Sequence, residues 1–168
     1  MIRVVIDSVR VSLMSQHRVI VLREMNGDRY LPIWIGPFEA DSITIELQGI
    51  PMARPLTHDL IKSILNELNV TVSHVVVNDL RDDTFYARIV LEVNGTRKEV
   101  DSRPSDAIAL AVRARVPIYV AKHVMDIASI VPESEEETSE LSEEEEKNLA
   151  VFRDFLDSLN LDESDKRV

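Results

Sequence analysis

Thr84-Phe85-Tyr86-Ala87-Arg88-Ile89-Val90-Leu91-Glu92-Val93-Asn94-Gly95-Thr96-Arg97-Lys98-Glu99-Val100 decides the fold. Phe85, Ala87, Ile89, Leu91 and Val93 fall on every second position, the period of a strand with one face in a core. Asn94-Gly95 then supplies the two residues that tolerate positive φ, so the chain turns and returns over 96–100 as a hairpin. An antiparallel sheet is the element to extend in both directions.

Upstream, 70–78 is a second β-rich run whose parity shifts near His74. Before it, Thr57 stands where a helix cap is expected, and Leu60, Ile61, Ile64, Leu65 and Leu68 form an amphipathic stripe. The helix before that opens at Gly36-Pro37, turns Ala40, Ile43 and Leu47 inward, and stops at Gly49 with Pro51 behind it. Residues 50–56 form a Pro-rich loop. At the start of the chain, 2–14 is a long strand with a parity change at Asp7-Ser8, the mark of a bulge. A second strand over 17–25 reaches Asn26-Gly27, a two-residue hairpin signal, and leads into 29–35. Pro32 places that third strand at an edge.

Downstream, Asp101-Ser102-Arg103-Pro104-Ser105-Asp106 runs into the small-residue apolar helix 104–115. Pro104 suits its first turn, and Asp101 or Ser102 is its expected cap. A short strand at 118–120 and a short helix at 121–128 complete a body spanning 1–132. Hairpins outnumber βαβ patterns. The expected class is α+β, a mainly antiparallel sheet packed against several helices, with a C-terminal amphipathic helix.

That last helix belongs to a second segment, 133–168. A Glu/Ser/Thr linker leads to Ser142-Glu143-Glu144-Glu145, a capping box. Leu149, Phe152, Phe155, Leu156 and Leu159 then share a face. The segment holds 14 acidic and 4 basic residues, a net of −10, so the body carries only −1 of the chain's −11. The near-neutral body leaves room for a local basic groove that the total charge hides.

The 168 residues contain no cysteine, which removes disulfides, thiolate nucleophiles and Cys-based zinc sites. No apolar run reaches the ~20 residues of a membrane span, and the first residues lack a signal-peptide pattern. A cytoplasmic protein with no membrane partner is expected. GxGxxG, Walker, HExxH and GxSxG motifs are missing.

Three separated motifs carry a resemblance. Leu31-Pro32-Ile33-Trp34-Ile35-Gly36-Pro37-Phe38-Glu39-Ala40, Arg54-Pro55-Leu56-Thr57-His58-Asp59-Leu60 and Asp101-Ser102-Arg103-Pro104-Ser105-Asp106-Ala107-Ile108-Ala109-Leu110-Ala111 resemble, in order and spacing, the bifunctional nuclease family. The similarity covers roughly 1–130 and is nearest to the family's small thermophilic bacterial members. It implies a compact α+β domain that forms homodimers, and a nuclease acting on RNA, DNA or both.

Phosphodiester hydrolysis needs phosphate charge neutralised, a nucleophile activated and a leaving oxygen protonated. The motifs offer Asp101, Arg103, Asp106, Glu39 and His58 as catalytic candidates. Arg54, Ser102 and Ser105 are candidates for binding substrate, and Asp101 with Asp106 for holding Mg²⁺ or Mn²⁺. Helix starts at Pro37, Thr57 and Pro104 also favour a phosphate. Asp41 points away from Glu39 on a helix. The competing account is architectural. In it Asp101 and Ser102 cap a helix, Arg103 pairs with Asp106 or Glu39, Glu39 answers the helix dipole, and His58 is a surface histidine. The function then is a non-catalytic anion-binding or regulatory dimeric module whose C-terminal helix binds a partner. Trp34 and Tyr30 are candidates for stacking bases, against core packing or a dimer contact.

Overall fold

A computed structural model describes residues 1–11 and 17–132. The expected linker and amphipathic helix of 133–168 lie outside the described residues. The order is β1 (Ile2–Val11), β2 (Arg18–Glu24), β3 (Tyr30–Ile35), α1 (Pro37–Leu47), α2 (Thr57–Glu67), β4 (Val70–Arg81), β5 (Thr84–Val93), β6 (Thr96–Ser102), α3 (Pro104–Ala114), β7 (Ile118–Val120) and α4 (Lys122–Ala128). The α+β class expected from the sequence is what forms.

The sheet has seven strands in the order β3-β2-β1-β7-β4-β5-β6. Two antiparallel meanders, β1–β3 and β4–β6, are joined by the three residues of β7. That strand pairs antiparallel with β1 and parallel with β4. Helix α3 makes this possible by carrying the chain from the β6 edge back to the middle of the sheet. The bulge expected in β1 is a register shift between Ile6 and Ser8. The shift at His74 in β4 is present too. Pro32 lies in β3, an edge strand, where its missing N–H costs no ladder bond.

Local chemistry sets the ends of the elements. Asn94 and Gly95 both have positive φ, 50° and 74°, and make the expected two-residue turn. A further such turn, unexpected from the sequence, forms at Asp82-Asp83, with φ of 47° and 56°. Short Asp side chains tolerate this region, and β4 runs on to Arg81 instead of ending at 78. Asn26-Gly27 falls in a five-residue loop, not a two-residue turn. The reason is Arg29, whose guanidinium bonds Glu24 at 2.7 Å and Asp126 at 2.9 Å and whose carbonyl accepts from the Glu24 N–H. Helix α1 closes with Gly49 at φ 63° and an Ile50 N–H donated to the Ile45 carbonyl. That paired-bond cap explains the glycine stop.

Helix α3 is the centre of the core. Ala107, Ile108, Ala109, Leu110 and Ala111 are all buried; the three alanines and Ile108 share a cluster with Ile20, Leu22, Ile33, Ile43, Val75, Val77 and Val120, and Leu110 packs with Val72 and Leu91. The alanines let the sheet approach closely, while Ile108 and Leu110 fill the remaining volume. Arg103, with extended backbone, is the N-cap of α3, and Asp101 and Ser102 stay in β6. Neither caps the helix as expected, because the strand holds them in extended conformation.

Two expected inner faces also differ. In α1, Ala40 and Ile43 are buried but Leu47 is exposed. In α2, Leu60, Ile61, Ile64 and Leu68 face solvent and only Leu65 is packed against the core. The buried residue of α2 is His58. Its N-cap is Leu56, not Thr57, and Asp59 supplies the capping acceptor by receiving the Leu56 N–H at 2.8 Å.

Candidate active site at the meeting of three helices

The three motifs are brought together where α1, α2 and α3 meet. Glu39 and Ser42 sit one turn apart on α1, the spacing that puts two side chains on one face. Asp106 and Arg113 sit two turns apart on α3 and share one side of it. Between them α2 presents the consecutive pair His58 and Asp59.

Asp106 is the hub. Its Oδ2 accepts the Arg103 Nε–H at 2.7 Å, and its Oδ1 lies 3.1 Å from His58 Nε2. Arg103 Nη2 reaches Glu39 Oε1 at 2.6 Å, so the guanidinium bridges two helices. Its side chain remains 65% exposed, whereas Asp106 is 31% exposed and His58 is buried. Gly36 gives Glu39 its place: a Cβ there would overlap the Glu39 carboxylate.

Burial alone would raise the Asp106 pKa, but hydrogen bonds from Arg103 and then His58 bring it below the ordinary aspartate value. Asp106 is therefore an ionised acceptor at neutral pH. His58 then donates to it from Nε2, and in that tautomer Nδ1 accepts the Ser42 hydroxyl, 3.0 Å away. Its hydrogen bonds to Asp106 and Glu39 push the Arg103 pKa further up, so it stays cationic.

A second, buried network lies beside the first. Arg113 donates to Asp59 Oδ1 at 2.7 Å, to the Ala109 carbonyl at 3.0 Å and to the Ser42 carbonyl at 3.1 Å. Lys62 donates to the Arg113 carbonyl at 2.7 Å. Burial works to raise the Asp59 pKa, but the Leu56 N–H and Arg113 lower it on balance.

Four of the expected residues therefore converge: Glu39, His58, Arg103 and Asp106. The others stand apart. Asp101 is exposed on β6 opposite Arg88 and makes no side-chain hydrogen bond or ion pair among the described residues. Ser102 Oγ donates to the Arg103 carbonyl at 2.8 Å, Ser105 is buried, and Arg54 is exposed in the loop before α2. No group of three or more His, Asp or Glu is arranged for a metal among the described residues. Ser42, Asp59 and Arg113 escaped the sequence reading. Arg113 carried the only usable signal, a charge within an apolar helix, two turns after Asp106.

The family model of the bifunctional nuclease domain matches residues 20–133, a span that includes all of these side chains. The chain belongs to the bifunctional nuclease family. It is 43% identical over 157 residues to an uncharacterized protein of Mycobacterium tuberculosis, covering 92% of this chain and 93% of that one. It is 30% identical over 114 residues to bifunctional nuclease 1 of Oryza sativa subsp. japonica, covering 66% of this chain and 34% of that protein. Bifunctional nuclease 1 of Arabidopsis thaliana is likewise 30% identical, with 66% and 35% covered. The chain thus spans about a third of the plant proteins' length. No helix among the described residues is long and apolar enough to cross a membrane.

Proposed function

We propose that this member hydrolyses phosphodiester bonds of RNA or DNA, in the cytoplasm, at the Glu39–Arg103–Asp106–His58 corner. One observation carries the proposal: a single ionised carboxylate, Asp106, receives a buried imidazole on one oxygen and a solvent-facing guanidinium on the other. Arg103 supplies the charge that meets a phosphate, and Glu39 anchors it. Asp106 takes the proton of the attacking water as the P–O bond breaks, and the departing oxygen is protonated from solvent. His58 reaches the surface only through Asp106 and acts by orienting it. Ser42 serves His58 in the same way, from behind. Arg54 and Ser102, outside that corner, are the residues we assign to the flanking sugar-phosphate chain.

Mg²⁺ or Mn²⁺ is part of the proposal. Asp106 is ionised and partly exposed, and Asp101 is exposed and unpaired among the described residues, which suits ions that keep several waters and bind by one or two carboxylates plus phosphate. Bound there, the ion would neutralise phosphate charge. Highly purified wild type, Asp106→Ala and Arg103→Ala, assayed with and without EDTA, test the scheme. Activity that both variants keep at the wild-type level assigns the cleavage to a contaminant.

A second reading, a non-catalytic dimeric module, is favoured by the outward stripe of α2. We propose that the working form is a homodimer in which a second copy covers Leu60, Ile64 and Leu68. Ile64→Glu should shift the size-exclusion mass to the monomer. A dimer that survives it rules out this contact.

A further inference from the structure

Helix α2 docks against its own pattern. Leu60, Ile61, Ile64 and Leu68 face solvent, while His58, Lys62 and Leu65 turn toward the body. Successive residues of a helix project about 100° apart, so a rotation of α2 that turned its apolar stripe inward would carry His58 away from Asp106. Apolar burial favours that rotation, and polar contacts have to oppose it. Apart from those of His58 itself, the hydrogen bonds that tie α2 to neighbouring elements among the described residues all run to Arg113. Its guanidinium donates to Asp59 Oδ1 at 2.7 Å, and its carbonyl accepts from Lys62 at 2.7 Å. Asp59 and Lys62 are one turn apart, so α2 is gripped at two points along one side.

The same guanidinium donates to the Ser42 carbonyl at 3.1 Å and to the Ala109 carbonyl at 3.0 Å. The Ser42 hydroxyl in turn lies 3.0 Å from His58 Nδ1. A closed ring results, from Arg113 to Ser42, on to His58, along the chain to Asp59 and back to Arg113. With its side chain only 2% exposed, Arg113 is out of reach of any substrate.

We propose that Arg113 is a positioning residue: by holding Asp59, Lys62 and the Ser42 carbonyl, it sets the rotation of α2 and with it the hydrogen bond from His58 to Asp106. The bearing of this clamp on catalysis rests on the phosphodiesterase reading. Arg103 and Glu39 lie outside the ring, so loss of the clamp should lower kcat and leave KM nearly unchanged. Lysine is a poor substitute, because a point charge lacks the fork that serves three acceptors at once.

The test has to separate positioning from stability. Arg113→Met combined with Asp59→Asn removes both charges together and leaves an amide oxygen for the Leu56 N–H. No buried charge is stranded, so the fold should survive. Long-range proton–nitrogen NMR of the full chain reads the His58 ring nitrogens, assigned by their loss in His58→Gln. Wild type should show one fixed tautomer, protonated at Nε2. The double variant should show the averaged tautomers of a free imidazole, and its kcat on single-stranded RNA should fall about tenfold or more with KM within about twofold. Arg113→Lys, which keeps a cation for Asp59, should change both readouts in the same direction and by less; it decides the matter if the double variant does not fold. Wild-type ring signals in a folded variant would overturn the proposal, and so would altered signals with an unchanged kcat. Altered signals in a protein whose wild type cleaves nothing would retain the clamp and discard the nuclease.

Discussion

Helix α3 removes eight of its eleven residues from solvent, most of them Ala, Ile or Leu. Helix α2 has the same length and lies against it, yet it buries His58, sends Lys62 to a carbonyl of α3, and turns Leu60, Ile61, Ile64 and Leu68 outward. Apolar burial holds α3, whereas hydrogen bonds and one ion pair hold α2. The difference places the chemistry. A helix fixed by polar groups delivers His58 and Asp59 to its neighbour, and a helix fixed by packing delivers Asp106 and Arg113 rigidly. The site forms where the two kinds of attachment meet.

Substitutions at the two helices should therefore fail differently. The largest loss is expected for Ile108→Ala, about 2–5 kcal/mol, since a fully buried side chain leaves a cavity beneath α3. Denaturant unfolding measures it, and a loss under 1 kcal/mol would deny α3 its central place. Next comes Arg113→Ala, which removes the charged donor from Asp59 Oδ1 and a donor from the Ser42 carbonyl. Breaking a buried pair costs about 3–5 kcal/mol, and the partial exposure of Asp59 should hold this one to about 3 kcal/mol. Hydrogen exchange should show α2 opening first, ahead of α3.

The pH dependence sharpens the contrast. Asp59 and Asp106 both have folded pKa values below the ordinary one. Their contribution is complete above the unfolded value, near 4, and is lost as pH falls through the lower folded values. Stability measured from pH 6 downward should decline below about pH 4. Asp59→Asn should flatten the decline, whereas Ile108→Ala should lower stability by the same amount at every pH. The smallest effect belongs to the outward stripe. Ile64→Ser should change the stability of the monomer by no more than about 0.5 kcal/mol. A loss above 2 kcal/mol would mean that the stripe is core after all.

How much of this could be read from the chain depended on how local each cause was. The Asn94-Gly95 turn, the bulge after Ile6, the Pro37 and Pro104 helix starts and the Gly49 stop each arise within a few residues, and each was legible. The period of α2 was legible as well, but a period says only that one face is apolar, not which way it points. His58 and Asp59 reversed that helix, through contacts with Asp106 and Arg113, 48 and 54 residues away in the chain. Caps at Asp101 and Ser102 were expected from residue type, and the extension of β6 to Ser102 overrode them. Within the site, the charged members stood out by composition. Ser42 did not, because a serine inside a helix carries no pattern until its partner is known. The central position of β7 rests on pairing with β1 and β4, which three apolar residues cannot announce.

The most direct test of the central claim is the initial rate of single-stranded RNA cleavage by Asp106→Asn, with melting temperature measured on the same preparation. The substitution keeps the size of the side chain and removes its charge. The expected rate is at least about a hundredfold below wild type, the usual loss when a positioned proton acceptor is removed, with the fold retained. A wild-type rate from that folded variant would contradict it.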